Sequence, residues 1–315
     1  MSKDAWCSGR DVSTGSAIAK LGDISLVKNE DMRWSTTEDV DEFLAAAGEF
    51  LRSRAAEHMI ILTVAETLRT RGRDPYGADT PRFGWWGTAD VGAAFLRTPP
   101  HPVLLERASV AAAAALAQTL VRLDPAVPAV NATPEAAEAF ARDWCRRTGA
   151  AVEVGRRTRL YRLGDLDTPS VPGAARPAAP ADRDLLIDWY EGFGRDIGED
   201  MVHVRDWVDA GIAAGELTLW EVDGVPVSMA AVTGPVAGVF KVAPVYTPPQ
   251  RRRHGYGGAV TAAVSRAALD AGATDVVLYT DLANPTSNSV YQRLGYRPVH
   301  DRVVLSLVAA RRAIP

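Results

Sequence analysis

Apolar positions along the chain alternate between two spacings, one near helical and one of period two, in short runs separated by turn-forming residues. Val40, Phe43, Leu44, Phe50 and Leu51 recur at roughly helical spacing. They follow Thr36-Thr37-Glu38-Asp39, whose hydroxyls and carboxylates suit the free amides of a first turn. Further helices are predicted over 56–71, 109–122 and 134–147. Segments 82–88, 92–97, 102–105, 127–130 and the strands within 151–163 read as β, which makes the first half a mixed α/β unit.

The second half repeats that order. Helices are predicted over 182–193 and 199–213. Strands 216–222 and 225–232 are joined by Asp223-Gly224, a pair that supplies the positive backbone angles of a tight reversal. Strand 238–246 ends at Pro248-Pro249 and is followed by helix 256–271, strand 275–280, helix 286–294 and two final strands near 296–299 and 302–308. Between the halves, DLDTPSVPGAARPAAPA has four prolines and no apolar period, the composition of a semi-extended linker. The expected organisation is a flexible tail over 1–22, a first domain over 23–164, a linker over 165–180 and a second domain over 181–315. The shared element order suggests a duplication.

Length supports two domains, since 315 residues exceed the usual ~100–200 of one. Apolar residues at 47% and charged ones at 23% fit a chain able to bury a core. A net charge of −4 supplies no overall basic field, so nucleic acid is not an expected partner and any anion site is local. Cys7 and Cys145 are too few for a disulfide framework or a cysteine zinc site, which points to a reducing compartment. His58, His101 and His300 have no partner at metal-ligand spacing, so no metal is expected. With no long apolar run and no signal-like N-terminus, a cytoplasmic protein without a membrane partner is expected.

One segment carries chemistry. Gln250-Arg251-Arg252-Arg253-His254-Gly255-Tyr256-Gly257-Gly258 stands between a strand and a helix, and its glycines let main-chain N–H groups approach an anion at the positive end of that helix. Taken alone, the run also fits an exposed Arg-rich turn. It lacks the patterns of nucleotide-hydrolase and dinucleotide loops, which disfavours ATP and NAD. Farther on, Asn284-Pro-Thr-Ser-Asn288-Ser-Val-Tyr291-Gln-Arg-Leu-Gly295-Tyr296 joins an asparagine to a tyrosine seven positions later.

Arg252-x-x-Gly255-x-Gly257 resembles the Arg/Gln-x-x-Gly-x-Gly/Ala loop of the GNAT (Gcn-five-related N-acetyltransferase) acyltransferases, and the Asn284–Tyr296 run resembles their second signature. The resemblance is close over 177–307 and weak, by element order, over 23–163. It implies an α/β (α+β) fold of two tandem domains, each a mostly antiparallel mixed sheet flanked by helices. It also implies acetyl-CoA as co-substrate, entering between the fourth and fifth strands. The amides of Arg253, His254, Gly255, Tyr256, Gly257 and Gly258 would hold the pyrophosphate. Arg252 or Gln250 would brace the loop, with Arg251 or Arg253 near the phosphates. Val245 and Thr247, with Tyr246 between them, would bond pantetheine through their backbones. Asn284 would bond it from the other side, and Asn288 is counted with the cofactor-binding residues. Tyr291 would protonate the leaving thiolate. Asp281 is the first choice of base, ahead of Glu221, Glu199, Asp200 and His203.

The implied reaction is direct attack of a small-molecule amine on the thioester, with neither cysteine as nucleophile. Leu105-Glu106-Arg107-Ala108-Ser109-Val110 stands at the loop position of the first half without a glycine, so that half is expected to be degenerate. Two other readings stay open. One keeps the fold and changes the donor to a longer acyl-CoA or an aminoacyl-tRNA, for which the Arg251–Arg253 run could touch RNA. The other is a non-catalytic acyl-CoA or antibiotic-binding module.

Overall fold

The computed structural model describes residues 32–309 apart from 74, 75, 78, 89 and 200. The expected tail over 1–22 and the expected start of the fold at residue 23 lie outside the described residues. Two compact units share the chain. The described part of unit 1 comprises 32–53, 64–156 and 302–309, and unit 2 comprises 54–63 and 157–301.

Unit 1 contains β1 (Trp34–Thr37), α1 (Val40–Arg52), most of α2 (Met59–Arg71), β2 (Arg82–Trp86), β3 (Ala93–Arg97), β4 (Val103–Glu106), α3 (Val110–Leu123), β5 (Ala129–Ala132) and α4 (Pro134–Thr148). It also takes 151–156 of β6 (Ala151–Leu163) and 302–308 of β12 (Tyr296–Val308). Its strands run β1-β2-β3-β4-β5-β12, antiparallel except for the parallel pair β4–β5. Thr36 and Thr37, expected in a helix start, belong to β1 instead. Trp34 donates its indole N–H to the Ala112 carbonyl (2.8 Å) and packs against Trp86 and Phe95, which draws this segment alongside β2. Asp39 alone caps α1, accepting from the amides of Asp41 and Glu42.

Unit 2 holds the rest: β7 (Ala174–Pro177), α5 (Arg183–Ile197), α6 (Val204–Ala214), β8 (Leu217–Val222), β9 (Val225–Val236), β10 (Val239–Tyr246), α7 (Tyr256–Asp270), β11 (Asp275–Asp281) and α8 (Pro285–Arg293). Strand order is β6-β11-β10-β9-β8-β7, antiparallel except for β10–β11. Both units thus carry one parallel pair flanked by antiparallel strands. On one face of the unit 2 sheet, Val260 and Val264 of α7 and Val290 of α8 pack over Val242, Val276 and Leu278. On the other, α5 and α6 cover Leu219, Met229 and Ala231, while Ala56 and Met59 cover Leu160, Val239 and Val277.

The expected domain boundaries need two corrections. Segment 165–180 is not a free linker. The Asp167 amide donates to the Leu294 carbonyl (3.1 Å), the Trp220 indole to the Pro172 carbonyl (3.0 Å), and 174–177 pairs with β8. Prolines without periodicity read as linker, yet an outermost strand needs fewer donors and tolerates them. Gly295 lets this segment close in. Its φ is +96°, and a Cβ there would lie 1.9 Å from the Asp165 carbonyl oxygen. Second, the two terminal strands are one, because polar His300-Asp301-Arg302 stays extended. Arg159 binds Asp301 (2.6 Å) in unit 2 and Glu106 binds Arg302 (2.8 Å) in unit 1, so charges that look like a turn are each satisfied in the strand.

Candidate active site

The site in unit 2 begins where two parallel strands part. β10 meets β11 only through Val239–Lys241 against Asp275–Val277. Beyond that point β11 continues along β6 to Asp281, and β10 continues along β9 to Tyr246. Between Val242 and Val245 the register with β9 slips by one residue, a bulge that bends β10 away. Pro244, inside the bulge, has no N–H to offer a ladder. Val245 and Tyr246 pair on one side with β9 and leave the wedge on the other. The Ser228 hydroxyl donates to the Tyr246 carbonyl (2.9 Å) and lies 2.9 Å from Thr247 Oγ1, which fixes the strand end.

From Thr247 the chain passes through a single 3-10 turn over Pro249–Arg251 into Gly255, the residue before α7. Gly255 has φ +85°, a conformation that costs an L-residue about 1–2 kcal/mol. It gives no side-chain cap, and no acidic side chain stands in the first turn. The Tyr256, Gly257 and Gly258 amides therefore lack intrahelical partners and end a 15-residue helix at its positive pole. Arg252 is the brace. Its Nε donates to the Thr247 carbonyl (2.9 Å), its Nη2 binds Asp196 (2.5 Å), and the guanidinium lies over the Tyr246 ring. Gln250 is exposed and does not take that part among the described contacts. Arg251, Arg253 and His254 are exposed, and the His254 ring stacks on Tyr256.

Arg253 has φ +67°, a left-handed conformation for a side chain pointing into solvent. Arg253→Gly is expected to raise stability by about 0.5–1 kcal/mol in urea unfolding. A fall in stability would reveal that the guanidinium makes a compensating contact.

Opposite the loop, Asn284 caps α8, accepting from the Ser287 amide (3.0 Å). Asn288 is drawn inward. Its Nδ2 donates to the Asp281 and Asn284 carbonyls (2.8 and 2.7 Å), and its Oδ1 accepts from the Tyr161 hydroxyl (2.9 Å), so it ties α8 to β11 and β6. Asp281 ends β11 and its Oδ1 accepts from the Ala283 amide (2.8 Å), turning the chain into α8. Half-buried Tyr291 packs edge-on to Tyr296. Its hydroxyl makes no hydrogen bond among the described residues, and burial pushes its pKa up to about 12. Glu221, another candidate base, is bound to Arg176 (2.6 Å). His203 stands exposed beside Asp206, and Asp200 lies outside the described residues. Sequence reasoning missed Asp196, Ser228 and Tyr161. Each acts across 18 to 127 positions of chain, where no local pattern signals a partner.

Residues 237–304, from the turn before β10 into β12, match the family described as FR47-like protein. A GCN5-related N-acetyltransferase from Sphaerobacter thermophilus superposes with a TM-score of 0.59 at 16% identity, covering 87% of this chain and 95% of that one. The fold is the GNAT fold. An acetyltransferase from the GNAT family of Colwellia psychrerythraea gives 0.55 at 12% identity over 88% and 99% of the two chains. A Drosophila protein gives 0.60 at 13% over 89% and 99%. No curated protein matches the sequence significantly. No helix among the described residues is long and apolar enough to cross a membrane.

Unit 1 carries a strand ladder of the same order, with different residues at its parallel pair. Its α3 begins with Ser109, whose hydroxyl accepts from the Ala112 amide (3.1 Å) and so occupies the helix pole that Gly255 leaves open in unit 2. Thr133-Pro134 opens α4 as Asn284-Pro285 opens α8, and seven positions on stands Phe140 rather than a tyrosine. Phe140 is buried against Trp144.

Proposed function

We propose that the protein transfers an acetyl group from acetyl-CoA to the amine of a small molecule, with the site in unit 2 and a degenerate site in unit 1. The observation that carries this reading is the uncapped, acid-free N-terminus of α7 lying directly after the strand that leaves the parallel pair. Acetyl-CoA supplies an activated acyl carbonyl on a thioester. The residues present fit it, since glycines at 255, 257 and 258 keep the helix pole clear of side chains. A Cβ at Gly257 would already stand 3.2 Å from Thr247 Oγ1.

The roles follow from position. The Tyr256–Gly258 amides hold phosphate charge at the helix pole. The unpaired edge of Val245 and the Thr247 amide align an extended amide-bearing arm, while Arg252, bound to the Thr247 carbonyl, keeps the loop in shape. Bringing amine and thioester together in one cleft supplies proximity without a covalent acyl-enzyme. Cys145 is buried in α4 of unit 1 and takes no part.

Tyr291 acts on the leaving group. With a pKa near 12 its phenol stays protonated throughout the neutral range. An ordinary thiol sits at about 8.5, so complete proton transfer to a thiolate is uphill and the phenol works chiefly as a hydrogen-bond donor. Tyr291→Phe is expected to bind acetyl-CoA as the parent does and to lower kcat by about 10–100-fold. Titration calorimetry beside thiol-release assays with an amine panel tests this. Unchanged turnover would remove Tyr291 from the reaction. Asp281→Asn tests the base, and a lowered melting temperature with unaltered turnover would leave Asp281 only its turn.

A further inference from the structure

Two polar groups on unit 2's sheet play no part in the proposed acetyl transfer. Lys241 is the last β10 residue paired with β11, so it stands at the vertex of the wedge. It is half-buried, and among the described residues it makes no hydrogen bond and no ion pair. Thr233 on β9 is its direct cross-strand partner. The Thr233 hydroxyl is buried and has no hydrogen-bond partner among the described residues.

Register partners point to the same face of a sheet, with Cβ atoms about 4.5–5.5 Å apart. The lysine stem and the threonine hydroxyl therefore leave the sheet on the same face at neighbouring positions. Their face is that of Val239 and Val277, beneath Ala56 and Met59 and beside the α5–α6 cover, opposite α7 and its open pole. Glu216, just before β8, favours the ammonium, and among the described residues it forms no ion pair with it. Burial works the other way and lowers the lysine below its ordinary value. A cation without an ion pair and an orphan hydroxyl on a face lined mainly by Val239, Val277, Ala56 and Met59 both cost stability, and a bound anion would relieve both.

Resting on the proposed function, we infer that Lys241 and Thr233 hold the carboxylate of the acceptor, so that the acceptor is a small amine that also bears a carboxylate group, of amino-acid type. One positive charge and one hydroxyl donor match the two oxygens of a monoanion. The subsite lies on the sheet face opposite the α7 pole that would take the donor's phosphates, so the two anions do not compete.

The test measures binding of reaction products. N-acetylglycine, N-acetylphenylalanine and N-acetylglutamate, each beside its α-amide, are titrated calorimetrically into the full-length protein with and without CoA. At least one acid is expected to bind about tenfold more tightly than its amide. That preference should disappear in Lys241→Met, shrink in Thr233→Val and survive in Lys241→Arg, which keeps the charge. Circular dichroism confirms that each variant is folded. Acids and amides bound alike by the parent, no binding of any acid, or a preference that survives Lys241→Met would each overturn the inference. Failure of CoA itself to bind would instead overturn the proposed function, while acid–amide discrimination without CoA still decides this one.

Discussion

Gly257→Asp is expected to lower acetyl-CoA affinity by at least about 100-fold while leaving the protein as stable as before or slightly more so. The two effects part because they have different origins. A carboxylate in the first turn of α7 complements the helix pole and contributes about 0.3–1 kcal/mol to folding. The same charge occupies the place where phosphate oxygens would take the Tyr256–Gly258 amides, and losing two such charge-assisted bonds accounts for the fall in affinity. Gly257→Ala separates charge from bulk, since its Cβ meets only Thr247 Oγ1 at 3.2 Å and needs a shift of a few tenths of an ångström. Alanine should therefore bind acetyl-CoA within about fivefold of the parent. Calorimetry and urea unfolding of both variants check the pair of outcomes, and undiminished binding by the aspartate variant would sink the loop assignment.

The second large effect lies in unit 1. Arg302 and Glu106 are 2% and 3% exposed, and the guanidinium meets both Glu106 oxygens at 2.8 and 2.9 Å. Arg302 also donates to the side chain and carbonyl of Asn131, at 2.9 and 2.8 Å. Every strong donor on this arginine is thus satisfied between β4, β5 and β12, and water has no access to replace it. Arg302→Met strands the Glu106 carboxylate in the interior and is expected to lower stability by about 3–5 kcal/mol in urea unfolding. Adding Glu106→Gln to the same chain removes the stranded charge and should recover part of that loss. A single-variant loss under about 1 kcal/mol would mean that solvent reaches the pair.

Much of this was legible in the sequence because the relevant signals are local. Apolar spacing placed most helices and strands to within a few residues, and Gly255 and Gly257 announced an open helix pole through their lack of side chains. Asn284 and Tyr291 stood out through the run that resembles a second signature, and in the structure Asn284 caps α8 while half-buried Tyr291 packs against Tyr296. What the sequence hid depends on distant partners. β1 is a strand because Trp34 meets Ala112, seventy-eight positions away. Segment 165–180 is part of unit 2 because Trp220 and Leu294 hold its backbone. Residues 302–308 complete unit 1 rather than unit 2, an exchange that no periodicity encodes, since a strand reads alike whichever neighbour it joins. Lys241 and Thr233 were passed over for the same reason, as their adjacency exists only in the register of β9 with β10.

The measurement that bears most directly on the whole account is a calorimetric titration of the full-length protein with acetyl-CoA, read for stoichiometry. One site per chain, lost in Gly257→Asp, is the predicted result, because the pole of α7 is open and that of α3 is filled by Ser109. Two sites would contradict the degenerate first unit, and no binding would contradict the acetyl-CoA reading itself.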